Sequence, residues 1–232
     1  MKIPFWFVAL CFLAICPAQA DTGLRLEVGT GLSQHAKRRD GLWYQSEYPN
    51  EHNLRVAAGQ IGVSWFPSDW FPPDSRWHMG WRVAYVSLGT SSGSAIALED
   101  EQDRGKGLPC DSQTRRGDCL ARFDQQTSVR GLSLGPVFER ALGSIVASVE
   151  GGAYLGYSKV HAHRTSITSP EQADVDIVTQ WVPTPWWYLG AGARYRYVTL
   201  DGRMYQNLSA SGGFQGPRYA YTLMLGLSIP FK

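Results

Sequence analysis

The sequence predicts an all-β protein, a transmembrane up-and-down antiparallel β-barrel of eight strands. Three observations support this prediction: an N-terminal export signal, apolar residues at every second position, and links between strands that alternate between short and long. Mean hydropathy is slightly polar, at -0.23, so the prediction depends on how the apolar residues are arranged. No later segment is apolar over the roughly 20 residues that a transmembrane helix needs.

The N-terminus has the three parts of a cleaved signal peptide. Lys2 supplies a positive charge, residues 5–16 form an apolar run, and Ala18 and Ala20 fit an A-x-A cleavage site. We therefore expect the mature chain to begin at Asp21.

The predicted domain organisation is a signal peptide over 1–20 and a single outer-membrane barrel domain over 21–232. An uncleaved anchor is one alternative, but the apolar run is too short for a stable transmembrane helix. A lipoprotein signal ending at Cys16 is another, and the bulky Ile15 before it disfavours that processing.

The clearest strand is the C-terminal segment, in which apolar or aromatic residues alternate with small or polar ones. Strands of soluble proteins are usually shorter, whereas this run suits a membrane-spanning strand of about 9–11 residues. The outward set comprises Tyr221, Leu223, Leu225, Leu227, Ile229 and Phe231.

Seven further segments alternate with the same period of two, which is the signal of a half-buried strand. The sixth of these segments has the weakest pattern. In chain order they cover residues 24–33, 54–66, 77–85, 128–139, 145–158, 173–182 and 187–197.

Charged residues show which face of these strands points inward. Arginine or lysine at the bilayer midplane costs about 2–4 kcal/mol, so the charged face must line the interior. An eight-stranded barrel is just wide enough to be filled by side chains, which favours a structural ion-pair network; a narrow gated pore is the alternative. The predicted network comprises Arg25, Glu27, Arg82, Glu150, Arg194 and Arg196.

A soluble barrel with an apolar ligand cavity, such as a lipocalin, would show the same alternation with its faces reversed. The export signal, the strand length and the placement of the aromatic residues favour the membrane.

Link lengths predict the orientation. The links at 67–76, 140–143 and 183–185 are short and the others are long, as in outer-membrane barrels with short periplasmic turns and long extracellular loops. Aromatic residues are expected at both membrane interfaces. We place Trp65, Trp77, Trp181 and Trp187 at the short-link end, and Tyr85, Tyr157, Tyr197 and Tyr221 at the long-loop end.

In its export signal, its eight alternating segments and its closing strand over 221–231, the chain resembles the small outer-membrane barrels of the OmpA/OmpX type. The resemblance implies the outer membrane of a Gram-negative bacterium, a monomer, and a closing strand that the barrel-assembly machinery reads as its signal. Lys232 after the aromatic Phe231 departs from that signal. We expect no periplasmic domain after the barrel.

Cys110 and Cys119 are the two cysteines of the mature chain, and both lie in the longest link. In an exported chain this spacing favours a disulfide that closes a small loop. A metal site would need further ligands nearby.

Three classes of function follow from this architecture. The first is a non-enzymatic surface barrel that serves membrane integrity or adhesion through its extracellular loops. The second is an enzyme that modifies lipid A or phospholipid, and the third is a narrow channel. The enzyme would need a Ser-His or His-carboxylate pair at the rim, and the candidates are Ser158, His161, His163 and Ser166. Exposed loop histidines are usually solvated, so we expect no catalytic residue, metal or cofactor.

The expected partners are outer-membrane lipid and lipopolysaccharide, and a host or surface ligand is a further candidate. The net charge of +2 does not suggest a nucleic-acid partner. Basic residues cluster just above the predicted outer interface, and they fit either a clamp on lipopolysaccharide phosphates or ordinary solvated loops. They are Lys37, Arg38, Arg39, Arg115, Arg116, Lys159 and Arg164.

Overall fold

The computed structural model describes most of the chain after the predicted signal peptide. The described residues are 23–36, 48–53, 55–68, 70, 72, 76–98, 120–166, 175–178, 181–209 and 217–231. Within these ranges, no helix is long and apolar enough to cross a membrane.

The regular structure consists of ten strands in one antiparallel sheet. They are β1 (Gly23–Ala36), β2 (Tyr48–Asn53), β3 (Arg55–Phe66), β4 (Trp77–Leu98), β5 (Leu120–Leu142), β6 (Ile145–Ser166), β7 (Val175–Val178), β8 (Val182–Tyr195), β9 (Val198–Asn207) and β10 (Tyr219–Pro230).

Eight of these strands form a closed barrel. Their order around the ring is β1, β3, β4, β5, β6, β8, β9 and β10, and the pairing of β10 with β1 closes it. The other two, β2 and β7, are short extensions that pair with the far ends of β4 and β6. The predicted all-β, eight-stranded antiparallel barrel is confirmed.

The sequence prediction is wrong about the sixth strand. Among the described residues of the segment 173–182, Val175–Val178 form the short β7 and Val182 begins β8, and residues 183–185, predicted as a short link, lie inside β8. Pro183 and Pro185 suggested a break, because proline cannot donate to a β-ladder. They are tolerated because β8 pairs with β9 only from Trp186 onward, so they lie where β8 has a strand partner on one side only.

The seventh barrel strand along the chain, β9, was predicted as part of a long link. Its Asp201-Gly202 pair is typical of a hairpin turn, but it pairs in register with Met224 and Leu223 of β10. The actual hairpin between β8 and β9 is the two-residue turn of Arg196 and Tyr197.

The two ends of the barrel differ in the length of their links. One end, here called the turn end, holds the links 67–76, 143–144 and 196–197 and the outer ends of β1 and β10. The opposite end, the loop end, holds the links 37–47, 99–119, 167–174 and 208–218. The tight turn between β5 and β6 begins with Gly143 at a φ of 66°, a left-handed conformation that glycine adopts without steric cost.

The alternation of side chains makes the outside of the barrel apolar and the inside charged. Leu134, Leu189 and Leu225 face outward and are at least half exposed, while Arg82 and Glu150 face inward and are each 5% exposed. This is the reverse of a soluble barrel, in which the apolar face is the buried one.

The apolar band has the height of a bilayer. On β5 the outward side chains between Arg130 and Arg140 are Leu132, Leu134, Pro136 and Phe138. Those two arginines are ten positions apart, which at about 3.4 Å per residue and a strand tilt of about 40° is a height of about 26 Å. The apolar band of an outer-membrane barrel is about 25 Å tall, so this barrel is transmembrane.

Candidate functional site

The interior of the barrel, here called the lumen, begins at the turn end with a group of ion pairs around Glu139. Arg25 Nη1 lies 2.7 Å from Glu139 Oε1, and Arg194 Nη2 lies 3.6 Å from Glu139 Oε2. The guanidinium of Arg25 also lies over the ring of Phe66, 4.1 Å from its centroid. Because Arg25 is on β1 and Glu139 on β5, this pair crosses the lumen.

A second group of ion pairs lies next to the first, toward the loop end. Arg82 Nη1 lies 2.6 Å from Glu150 Oε2, and Arg82 Nε contacts Glu27. Arg203 donates from Nε to the other oxygen of Glu150 and from Nη1 to Gln60 Oε1. These contacts connect β1, β4, β6, β9 and β3 in turn, so they form a belt across the lumen.

The charges inside the lumen balance. Buried ions lose their hydration, which costs several kcal/mol per ion unless partners and hydrogen bonds compensate. Ser64 supplies one such bond by donating from Oγ to Glu27 Oε1 at 2.8 Å. The buried cations are Arg25, Arg82, Arg194 and Arg203, and the buried anions are Glu27, Glu139, Glu150 and Asp201.

An aromatic cluster fills the lumen on the loop side of the ion pairs. The ring centroid of Tyr205 lies 5.2 Å from that of Tyr154 and 5.7 Å from that of Tyr188, and Trp186 packs on Tyr154 at 6.1 Å. Tyr154 donates its hydroxyl to Val86 O at 3.2 Å. The cluster therefore forms an apolar layer, in which the Tyr154 hydroxyl and the Trp186 indole N–H bond to the barrel wall.

A third layer lies around His35, nearer the loop end. The two ring nitrogens of His35 are each 2.9 Å from a partner, Ser91 Oγ and Leu88 O. Leu88 and Val129 are fully buried beside this layer. From Arg25 to His35, the largest interior side chains are less than 10% exposed, so side chains fill the lumen at these levels.

The structure places five of the six residues of the predicted ion-pair network in the lumen. Arg25, Glu27, Arg82, Glu150 and Arg194 are all buried there. The sixth, Arg196, was predicted on a strand but lies half-buried in the turn at a φ of 54°. Its carbonyl accepts a hydrogen bond from Arg194 Nη1 at 3.0 Å, so its backbone supports the network.

Sequence reasoning missed several partners within the lumen. Asp201 and Arg203 were missed because β9 was read as a link. The signal for them was present, since Thr199, Asp201, Arg203, Tyr205 and Asn207 occupy alternate positions and are all buried. Glu139 and Gln60 lie in predicted strands, but the alternation of the sequence does not show that they join the network.

The predicted girdle aromatics all face outward, but three lie at the opposite end from the one predicted. Trp65 and Trp77 lie toward the turn end, and Tyr85, Tyr157 and Tyr221 lie toward the loop end. Trp181 and Trp187 lie at the start of β8, which is at the loop end, and Tyr197 lies in the turn. The reason is the misplaced sixth strand, which reversed the predicted direction of β8.

The outward set of the closing strand lies along β10 and just beyond it. All six side chains are exposed on the apolar face: Tyr221, Leu223, Leu225, Leu227, Ile229 and Phe231. The predicted cleavage residues Ala18, Ala20 and Asp21 and the cysteines Cys110 and Cys119 lie outside the described residues.

The candidate catalytic residues are not brought together by β6. Ser158 faces the lumen, is fully buried, and lies 3.3 Å from Thr184 Oγ1. His161 and His163 lie on the opposite face of the same strand, and the side chain of Ser166 lies outside the described part. Among the described residues, no group of three histidine, cysteine or acidic side chains could hold a metal ion.

Comparisons with known proteins find similarity among solved structures. The sequence matches no protein-family model and no curated protein. The attachment invasion locus protein Ail of Yersinia pestis is 14% identical with a TM-score of 0.41, and the match covers 91% of this chain and 100% of Ail. A second structure of Ail, in complex with the heparin analogue sucrose octasulfate, is 16% identical with a TM-score of 0.39 and the same coverage.

A mutant porin of Rhodopseudomonas blastica is 10% identical with a TM-score of 0.21, and the match covers 89% of this chain and 99% of the porin. All these TM-scores are below 0.5, and the barrel is defined by its own strand pairing.

Proposed function

We propose that the protein is a non-enzymatic integral outer-membrane protein of a Gram-negative bacterium. In this proposal the turn end faces the periplasm, the loop end faces outward, and the long loops serve membrane integrity or adhesion to a host or surface ligand. The observation that carries the proposal is the filled, charge-balanced lumen inside an apolar exterior. Such a barrel is a stable support for loops and has no route for solutes.

Three features of the chain support this location. The N-terminus has the pattern of an export signal, the outward apolar band matches the height of an outer membrane, and the closing strand presents an alternating apolar face that ends at Phe231. We propose that the barrel-assembly machinery reads this strand, and that the folded barrel is a monomer among outer-membrane lipid and lipopolysaccharide.

The channel alternative makes a measurable prediction that differs from ours. A water-filled pore leaves its inward side chains hydrated, whereas here Val86, Val137 and Tyr205 are fully buried. The purified barrel should therefore produce no discrete conductance steps in planar bilayers, under conditions in which a porin control conducts. Regular single-channel steps would contradict the sealed lumen.

The enzyme and adhesion alternatives need separate assays. Mass spectra of lipid A and phospholipid from strains with and without the gene should be identical if the barrel modifies neither. Adhesion is tested by shortening the link 99–119, which lies at the loop end, and comparing the binding of whole cells to host-cell surfaces. A shortened variant that inserts normally and binds as well as the unaltered protein would exclude that loop from adhesion.

A further inference from the structure

The charged residues of this barrel are divided between its two faces. The buried aspartate and glutamate side chains, Glu27, Glu139, Glu150 and Asp201, face the lumen, where four arginines balance them. Arginine and lysine side chains also lie on the outward face, among them Arg55, Arg130 and Lys159.

One part of this surface brings two cations and two aromatic rings together. Arg130 on β5 lies over the ring of Trp181, which directly precedes β8, at 4.1 Å from the ring centroid. Tyr157 on β6 is the pairing partner of both Arg130 and Pro183, so it lies between them. Lys159 is the next outward residue on β6.

We call these four residues, Arg130, Tyr157, Lys159 and Trp181, the Arg130 patch. Ser158 of β6 pairs with Val182 of β8. Lys159 and Trp181 are the next residues toward the loop end, so they are neighbours. Lys159 is also diagonal to Arg130, and such outward pairs are within reach of long side chains. None of the described carboxylates pairs with either cation.

The Arg130 patch lies at the boundary of the apolar band. The next outward residues toward the turn end are Leu132 on β5 and Leu155 on β6, and both are about half exposed. Toward the loop end, the outward residues of the same strands are the exposed and polar Gln126 and His161. This is the depth at which lipid headgroups meet a membrane protein.

We propose that the Arg130 patch binds a phosphate group of a phosphorylated glycolipid headgroup in the outer leaflet. When a guanidinium lies over an aromatic ring, its N–H donors point outward from its edge. Two of these donors can bind two oxygens of one phosphate. Lys159 adds a second charge for the same anion. The aromatic rings hold the guanidinium at headgroup depth. The assignment rests on the proposed outer-membrane location, because that membrane supplies such a lipid.

The test is lipid binding by the intact barrel in detergent micelles, measured by native mass spectrometry. The probes are diphosphorylated lipid A, the same lipid A with its phosphates removed, and inorganic phosphate as a competitor. We expect the diphosphorylated form to bind at least tenfold more tightly than the dephosphorylated form. Arg130→Gln should remove most of that difference, and Arg130→Lys should restore only part of it.

Arg55→Gln is the matched control. Arg55 is an exposed outward arginine at the loop end of β3, on another side of the barrel, and no ring lies against it among the described residues. This variant should bind diphosphorylated lipid A within about twofold of the unaltered protein, and heat-modifiable migration on gels should show that both variants fold.

Three results would overturn the proposal: equal binding of the two lipid A forms, an equal loss in Arg55→Gln, or displacement of the lipid by micromolar inorganic phosphate. The first two would mean that no specific phosphate site exists, and the third that soluble phosphate is the ligand. None of these results bears on whether the lumen is sealed, which the conductance measurement tests. Failure of the proposed lipid site can therefore be distinguished from failure of the proposed function.

Discussion

Glu150 is the lumen residue whose neutralisation we expect to destabilise the barrel most, because two arginines donate hydrogen bonds to its carboxylate, one to each oxygen. Arg82 Nη1 lies 2.6 Å from one oxygen, and Arg203 contacts the other. The substitution Glu150→Gln keeps the size of the side chain and removes its charge. Four buried arginines would then face three buried carboxylates.

The expected loss follows from the burial of all three side chains, each 5% exposed or less. Removing one partner of a buried ion pair costs about 3–5 kcal/mol, and Glu150 takes part in two pairs. We therefore expect a loss of about 5 kcal/mol, which lowers the folding equilibrium constant by roughly three to four powers of ten. In a hydrated lumen the same change would cost about 1 kcal/mol or less.

The assay is unfolding in urea of the barrel in lipid vesicles, followed by tryptophan fluorescence and by heat-modifiable migration on gels. The double variant Glu150→Gln with Arg203→Gln restores the charge balance, so it should be more stable than Glu150→Gln alone. A single-variant loss below about 1 kcal/mol, or a double variant no more stable than the single one, would refute a dry, charge-balanced lumen.

Three further predictions concern the loops, the lipid face and a turn. Replacing Cys110 and Cys119 together by serine should leave assembly and heat-modifiable migration unchanged but speed protease cleavage of the link 99–119; failed insertion, or two free thiols in the unaltered protein, would count against the predicted disulfide. Leu225→Arg places a charge on the outward face of β10 and should cost about 2–4 kcal/mol in the urea assay; a negligible cost would mean that Leu225 does not face lipid. Arg196→Gly should stabilise the β8–β9 turn by about 0.5–1 kcal/mol, since a left-handed φ strains any residue with a Cβ; a lower urea midpoint would contradict that turn.

The architecture could be predicted from the sequence because period-two alternation is a local property. In β4, the row from Trp77 to Tyr85 gives the lipid face and the lumen face without any knowledge of neighbouring strands. The same row gives the inward position of Arg82. The prediction was wrong where local signals conflicted with pairing, as with the prolines at the start of β8.

The partners within the lumen could not be predicted, because alternation gives the face of a residue but not its height in the barrel. Arg25 pairs with Glu139 across 114 positions of sequence. That contact depends on the stagger of β1, β3, β4 and β5, which is a property of the closed barrel. Because β9 was predicted as part of a link, Asp201 and Arg203 were absent from the predicted network. That network contained four arginines and two glutamates.

The arrangement of the layers explains why the loops could change without loss of the fold. The ion pairs, the aromatic cluster and the His35 layer are all formed by residues of the eight barrel strands. Beyond them, β2 pairs only with β4 and β7 only with β6 in the described chain. Stability and surface contacts are therefore carried by different residues, and substitutions in the links at the loop end should alter binding without altering the urea midpoint of the barrel.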